Sequence, residues 1–238
     1  MPVSSAAGQR ADEPDHAVTP LPLPTSARLW LAFVNTDSAA QTPRGDLLRT
    51  FDALLSWLNT EGTLDEERTA GIRRRALLQP AAAAASLVDA RRVRAALRVL
   101  AERGAASERV RDETISEINR VLGRSAGTRR LDRLSDGTYI RSFVPTGDAF
   151  MGLMIPVVEA AADSLAANEL ARVRRCADPR CHRVLLDTTK NGRRRWCDMG
   201  TCGNRAKAAR HRAKDVLRDK DVLSRDKAAL SREPHVGS

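Results

Sequence analysis

The four cysteines of this chain lie in one short window, and their clustering constrains the fold more than any other feature. The window spans 27 residues of a 238-residue chain, and no other position carries a cysteine. Cys176 pairs with Cys181 and Cys197 with Cys202, each pair separated by four residues, with 15 residues between the pairs. Four clustered thiolates favour one tetrahedral Zn²⁺ site. Two alternatives stay open, a redox disulfide pair and ordinary buried thiols.

A site closed by four sulfurs has no position for water or substrate, so one Zn²⁺ is expected to be structural. The segment is too small to bury an adequate apolar core, and metal binding would supply its folding free energy. His182 and His211 could also bind metal, although His182 adjoins Cys181 and is poorly placed to share its ion. The sequence has no glycine-rich phosphate loop and no catalytic carboxylate pair, so we expect a protein that is not an enzyme.

Two strands are predicted between the cysteine pairs. They are Val184–Leu186 and residues 194–196, joined at Asn191-Gly192, because Asn-Gly is a strong hairpin signal. Leu185 and Trp196 would form the small apolar side of this hairpin. Together with the helix predicted after Cys202, the segment is expected to form a treble-clef-like zinc finger.

The residues after Cys202 have the spacing of an amphipathic helix. One side, here called the basic face, comprises Lys207, Arg210, His211, Lys214 and Arg218. The other side is small or apolar and is predicted to pack on the zinc hairpin; it comprises Ala206, Ala209, Ala213, Val216 and Leu217. Asn204 and Arg205, at the helix start, are interpreted first as capping and framework residues and second as base readers.

The net charge of +10 is concentrated in the cysteine segment. Residues 172–220 hold 16 basic and 5 acidic residues, and the remainder is nearly neutral. All five lysines lie at or after position 190, so a general preference for arginine codons does not explain the clustering. Such a field predicts a polyanionic partner. We expect double-stranded DNA, contacted by Arg193, Arg194, Arg205 and the basic face.

The region before the cysteines is predicted to be mainly helical, which makes the whole fold mainly α. Helices are predicted over 46–58, 63–78, 81–103, 108–122 and from 148 onward, with Pro156 either starting or kinking the last one. A short β-hairpin is predicted from 130–134 and 139–144 around Asp136-Gly137. The expected organisation is a disordered leader at 1–27, a helical domain at 28–171, a zinc-binding domain at 172–220 and a flexible tail at 221–238.

Signals for a membrane or for export are missing from the sequence. No apolar run approaches the roughly 18 residues that a membrane helix needs. The N-terminus has no charged region followed by an apolar core, the pattern of a secretory signal. We therefore expect a cytoplasmic, nucleoid-associated protein without a membrane partner.

Two parts of the chain resemble known families. Residues 195–199 (Arg-Trp-Cys-Asp-Met) and 202–207 (Cys-Gly-Asn-Arg-Ala-Lys), with Leu-Asp-Thr at 186–188, resemble the CGNR zinc-finger family. Residues 33–36, 46–48, 54–58 and 64–65 are similar to the helical ABATE domain. This resemblance, over about 28–215, implies a bacterial transcription regulator with zinc on the four cysteines and a domain that senses a ligand or stress.

One small finger gives limited specificity, so a homodimer or a partner such as RNA polymerase is expected, and the helical domain could hold a small-molecule ligand. The hairpin near 130–144 and the adjacent helix are candidate self-association surfaces. The main alternative is a zinc-stapled protein-interaction module that binds an acidic protein and does not recognise DNA. Two others are an RNA-binding protein, which the scarcity of aromatic residues argues against, and a thiol redox sensor with Arg175 and Arg195 near the thiolates.

Overall fold

The structure is a computed structural model, and it describes residues 25–37, 45–123, 127–133, 139–146, 150 and 152–230. The helices are α1 (Thr25–Asn35), α2 (Phe51–Thr60), α3 (Glu66–Leu78), α4 (Pro80–Arg103), α5 (Glu108–Gly123), α6 (Ile155–Ala166) and α7 (Asn204–Leu230). The strands are β1 (Gly127–Arg133), β2 (Tyr139–Pro145), β3 (Val173–Arg175) and β4 (Val184–Leu186). The predicted mainly α fold with a short hairpin is confirmed. Residues 25–27 of the predicted disordered leader are helical and belong to α1. Residues 1–24 of that leader and the predicted turn at 135–137 lie outside the described residues.

Local sequence signals account for the bounds of α3 and α4. The Asp65 carboxylate caps α3 by accepting a hydrogen bond from the backbone N–H of Arg68 at 2.7 Å. Pro80 lies in the first turn of α4, where its missing N–H costs no hydrogen bond, and Gly104 follows the last residue of that helix. Pro156 likewise lies in the first turn of α6, so it starts this helix and does not kink it.

The helix predicted over 46–58 begins later than expected, at Phe51. Asp46 accepts a hydrogen bond from the backbone N–H of Leu48 at 2.8 Å, and the same carboxylate pairs with buried Arg94 at 2.5 Å. A side chain that binds nearby backbone competes with helix formation. Thr50 then caps the helix by accepting from Ala53 N–H at 3.1 Å. The partner of Asp46 lies on α4, which the periodicity of 46–58 does not reveal.

The main core forms where α1 packs against α6 and α4. α1 contributes Trp30, Phe33 and Val34, which are almost fully buried. Val157 and Val158 of α6 are buried beside them. None of the helices in the described ranges is long and apolar enough to cross a membrane.

The zinc-binding segment is docked on this core through β3 and β4. The two strands pair antiparallel, with Val173 opposite Leu186 and Arg175 opposite Val184. Val173 and Val184 are buried in the core of the helical domain. The side chain of Asn35, the last residue of α1, bonds both the N–H and the C=O of Val184, each at 2.9 Å. The helical domain and the finger therefore share one apolar core.

The predicted pairing of Val184–Leu186 with residues 194–196 is wrong, because β4 pairs with β3 instead. The backbone groups of 194–196 have other partners. Arg194 N–H donates to the buried Asp187 carboxylate at 2.8 Å, and the C=O of Arg195 accepts from Ala177 N–H at 2.8 Å. These contacts hold the segment against the first cysteine pair without a strand ladder.

Helix α7 extends further, and packs less, than the sequence predicted. It continues through Leu230, so residues 221–230, predicted as flexible tail, are helical, and 231–238 lie outside the described residues. Of the side predicted to pack on the zinc hairpin, only Ala206 is half-buried; Val216 and Leu217 are 53% and 62% exposed. The expected packing of this side is wrong beyond the first turn, because the helix projects away from the body.

Candidate metal centre and nucleic-acid interface

The four cysteine sulfurs converge, as the sequence predicted, and all lie within 4.8 Å of one another. The Sγ of Cys197 is 3.7 Å from that of Cys181 and 3.6 Å from that of Cys202. A tetrahedral Zn²⁺ with Zn–S bonds of about 2.3 Å places its sulfurs about 3.8 Å apart, whereas a disulfide needs about 2.05 Å. The cluster fits one structural zinc ion, and none of the four cysteines forms a disulfide.

Each pair of cysteines closes a turn that an aspartate holds. In the first turn, the Asp178 carboxylate accepts from Arg180 N–H at 3.0 Å, and its C=O accepts from Cys181 N–H at 2.8 Å. In the second turn, the Asp198 carboxylate accepts from Thr201 N–H at 2.7 Å. Aspartate side chains commonly satisfy backbone donors in turns. They explain how a spacing of four residues brings each pair of sulfurs to one point.

Arg205 connects both turns to helix α7. Its Nε lies 2.8 Å from the Asp178 carboxylate, and a second guanidinium nitrogen lies 2.9 Å from the Cys202 sulfur. Asp178 is only 4% exposed, and hydrogen bonds from Arg180 N–H and then Arg205 hold the pKa of its carboxyl below the ordinary value. The adjoining Asn204 donates to Gly200 C=O at 2.9 Å. These contacts are those of framework residues, the role that the sequence analysis placed first.

Burial shapes the electrostatics of the cluster. It is the largest cause that raises the pKa of the Cys197 and Cys202 thiols, and the neighbouring thiols raise that of Cys197 further. Four sulfurs at these distances are stable as thiolates only when a cation compensates their charge. A zinc ion held by the four cysteines would supply that charge, and its binding would release their protons.

A buried acid organises the loop between the pairs; the sequence predicted no role for it beyond its place in the Leu-Asp-Thr motif of the family resemblance. Asp187 is fully buried and accepts hydrogen bonds from the Thr189 hydroxyl at 2.6 Å and from Arg194 N–H at 2.8 Å. The Arg194 guanidinium then donates to the C=O of Trp196 at 3.1 Å and of Cys197 at 2.7 Å. Gly192 turns the loop with φ of +59°, which favours glycine. An isolated acid in a basic segment was the available signal.

The residues predicted to contact DNA fall into two groups. Arg194 and Arg205 have intramolecular partners at the zinc centre, as described above. Arg193 and the whole basic face of α7 are exposed. His211 is paired through Nδ1 with Asp215 at 3.0 Å. The helix has 27 residues and so a length of about 40 Å, and it presents its basic face directly after the last zinc ligand.

Comparisons with known families match nearly the whole described chain. The model described as "CGNR zinc finger" matches residues 172–215. The ABATE model, described as "Putative stress-induced transcription regulator", matches residues 27–168. The two matches occur in the order that the sequence resemblance predicted, and neither is a family of enzymes. No curated protein matches the chain.

Proposed function

Because this chain belongs to the ABATE family and carries a CGNR zinc finger, we propose that it is a zinc-dependent DNA-binding transcription regulator. The observation that supports this proposal best is the exposed basic face of α7, which begins at the zinc centre. Such a protein acts at the chromosome, in the cytoplasm.

Zinc and Arg205 together would set the direction in which α7 leaves the finger. The ion joins the two cysteine turns, and Arg205 joins the first turn to the first residues of the helix through Asp178. A helix fixed at one end loses little orientational entropy when it enters the major groove, which is about 12 Å wide. Lys207 and Lys214 would bind phosphates, and Arg210 could also read a guanine edge.

The first experiment measures how the affinity for a random-sequence duplex depends on salt, using anisotropy of a labelled duplex and the zinc-loaded protein. Neutralising about five phosphates predicts a slope near −4 to −5 for log affinity against log salt. The double variant Lys207→Gln/Arg210→Gln should reduce the magnitude of this slope by about 2. The control Arg74→Gln/Arg75→Gln removes the same charge from exposed positions on α3 and should leave the slope unchanged.

Two results would contradict DNA binding through α7. One is affinity that does not depend on salt, and the other is an equal loss in the α3 control. Selection from a random duplex library then tests sequence recognition. An enriched motif that Arg210→Lys weakens would assign base reading to Arg210.

A second candidate function is a protein-interaction module that binds an acidic protein, such as a subunit of RNA polymerase. The observation that favours it is the exposure of Val216, Leu217, Val222 and Leu223 on α7. In this case Val216→Ser/Leu223→Ser would abolish partner binding, and duplex binding would be weak in the wild type. Under the DNA proposal, the same variant keeps its salt slope.

A further inference from the structure

A groove of about 580 Å³ opens between the helical domain and the zinc finger. The helical side is formed by α1, α2 and the residues before α2, and the finger side by β4 and the residues around it. Its lining includes Arg28, Leu31, Trp57, Glu61, Arg183 and Arg194. Ligand sites occur preferentially where two domains meet. This groove lies at such a junction, and no role has been assigned to it above.

The charges around the groove are mostly positive. Arg28, Arg183 and Arg194 contribute three guanidinium groups, against the single carboxylate of Glu61. Arg194 is engaged with backbone carbonyls of its own loop. Arg28 and Arg183 are exposed. Among the described residues, the charge of Arg183 acts on the nearby Asp198 carboxylate, whose pKa it helps to lower, but no close hydrogen bond occupies its guanidinium or that of Arg28. Two guanidinium groups with unused donors on opposite sides of one groove are suited to an anion.

Part of the groove wall is apolar, and an aromatic contact holds it in place. Leu31 is buried in the core and reaches the groove from α1. The Trp57 ring on α2 packs against the Phe33 ring at 5.2 Å between centroids, which fixes its orientation. An aromatic face beside cationic groups suits a ligand with a flat apolar body and a charged end.

We infer that this groove binds a small organic anion whose carboxylate or phosphate group lies between Arg28 and Arg183 and whose apolar body packs on Leu31 and Trp57. Arg28 belongs to α1 and Arg183 directly precedes β4, so the ligand contacts both domains. It offsets the repulsion between the two cations and stabilises the docked finger. The regulatory consequence rests on the proposed function, whereas the binding itself does not.

The test uses the full-length, zinc-loaded protein and isothermal titration with three naphthalene probes. They are 1-naphthoate, 1-naphthyl phosphate and the neutral 1-naphthalenemethanol. At least one anion should bind at least about tenfold more tightly than the neutral probe. The reason is that hydrogen bonds between guanidinium groups and an anion add more binding free energy than those to a neutral hydroxyl. The stronger of the two anions shows whether the site prefers a carboxylate or a phosphate.

Variants locate the binding. Arg28→Gln and Arg183→Gln should each weaken anion binding about tenfold, and Arg183→Lys should weaken it less. Trp57→Leu should weaken all three probes. Arg74→Gln, at an exposed position on α3, should change nothing. Equal binding of the neutral probe, an equal loss in Arg74→Gln, or no binding of either anion at 1 mM would overturn the inference.

The outcome is separable from that of the proposed function because the titration contains no DNA. If Arg183→Gln loses anion binding and keeps the salt slope for duplex binding, the groove is a site distinct from the duplex-binding surface. If wild-type protein fails to bind duplex and still binds the anion, the proposed function fails and the groove inference stands.

Discussion

The helical domain and the zinc finger differ in the source of their stability. The helical domain buries large side chains from several helices, among them Trp30, Phe33 and Leu55. The finger's own cluster contains only Cys176, Leu185 and Cys202 as buried residues, with Trp196 and the other two cysteines partly buried around them. Apolar burial is sufficient for the first region, and the second needs its metal.

The boundary between these two sources of stability does not follow the boundary between the two family matches. Val173 and Val184 lie within the segment matched as zinc finger, yet they are buried in the helical core. Arg98 of α4 also donates to the C=O of His182 at 2.6 Å and of Val34 at 2.7 Å. The β3–β4 hairpin is thus supported by the helical domain. The second cysteine pair contributes no residue to that core, so we expect this pair and the orientation of α7 to depend on zinc.

Removing a zinc ligand should have the largest effect on stability and DNA binding, because it removes the metal on which the finger relies. Cys202→Ser is expected to lose stoichiometric zinc and to weaken duplex binding at least about 100-fold, because structural zinc contributes on the order of 10 kcal/mol to its module. Metal analysis and calorimetry check this prediction. The transition of the helical domain should shift by only a few degrees, as should that of the control Thr201→Ser, which keeps its zinc. Retained zinc in Cys202→Ser would contradict the four-sulfur site.

A cavity in the helical core tests the source of stability of the helical domain. Leu55 is fully buried, so Leu55→Ala should lower the free energy of unfolding by about 2–5 kcal/mol while the protein still binds one zinc ion. Leu77→Ala is the control, since Leu77 is 82% exposed and should cost less than about 0.5 kcal/mol. Urea unfolding and metal analysis measure both quantities. Zinc loss in Leu55→Ala would show that the stability of the zinc site depends on the core of the helical domain.

The connection between the regions should give an intermediate effect. Asn35→Ala leaves the N–H and C=O of Val184 without their side-chain partner, at a cost of about 2 kcal/mol. Hydrogen exchange at Val184 and the rate of zinc loss to a chelator should both increase. Asn59→Ala removes a side-chain bond to Leu64 within the helical domain and should leave the rate of zinc loss unchanged. Equal rates in Asn35→Ala and wild type would mean that this contact does not couple the regions.

Acidification should give the smallest effect, confined to the helical domain. The hydrogen bond from Arg94 is the largest cause that lowers the pKa of Asp46. A carboxyl with a lowered folded pKa stabilises the protein above its unfolded pKa of about 3.9, and this contribution is lost as the pH falls through the folded value. Asp46→Asn should therefore be about 1–2 kcal/mol less stable than wild type at pH 6, with a smaller difference below about pH 4.

Urea unfolding across this pH range measures that difference. Both proteins carry the same zinc site, so acid release of zinc cancels in the comparison. Asp112→Asn, at an exposed position on α5, removes the same charge and serves as the control. A difference for Asp46→Asn that does not change with pH would remove the assigned role of the Asp46 carboxylate.

Short-range patterns were enough to predict the zinc ligands, the family resemblance and most helices. The spacing of the cysteines and the acids that start α3 predict structure well because each of these residues interacts with others only a few positions away. Such interactions form within one segment and do not depend on where that segment lies in the folded protein. Pro156 was less decisive, because the sequence left open whether it starts or kinks α6, and the structure shows that it starts the helix.

Long-range contacts decided the rest, and no local pattern encodes them. Asp46 delays α2 because Arg94, far along the chain, binds its carboxylate. Strand β4 pairs with β3 at the place where Asn35 of α1 also binds Val184. The groove between Arg28 and Arg183 exists only because α1 packs beside β4. Periodicity identifies which side of α7 is apolar, but whether another element covers that side depends on where the helix leaves the body. Such choices depend on which distant surfaces bury each other, and only the folded chain brings those surfaces together.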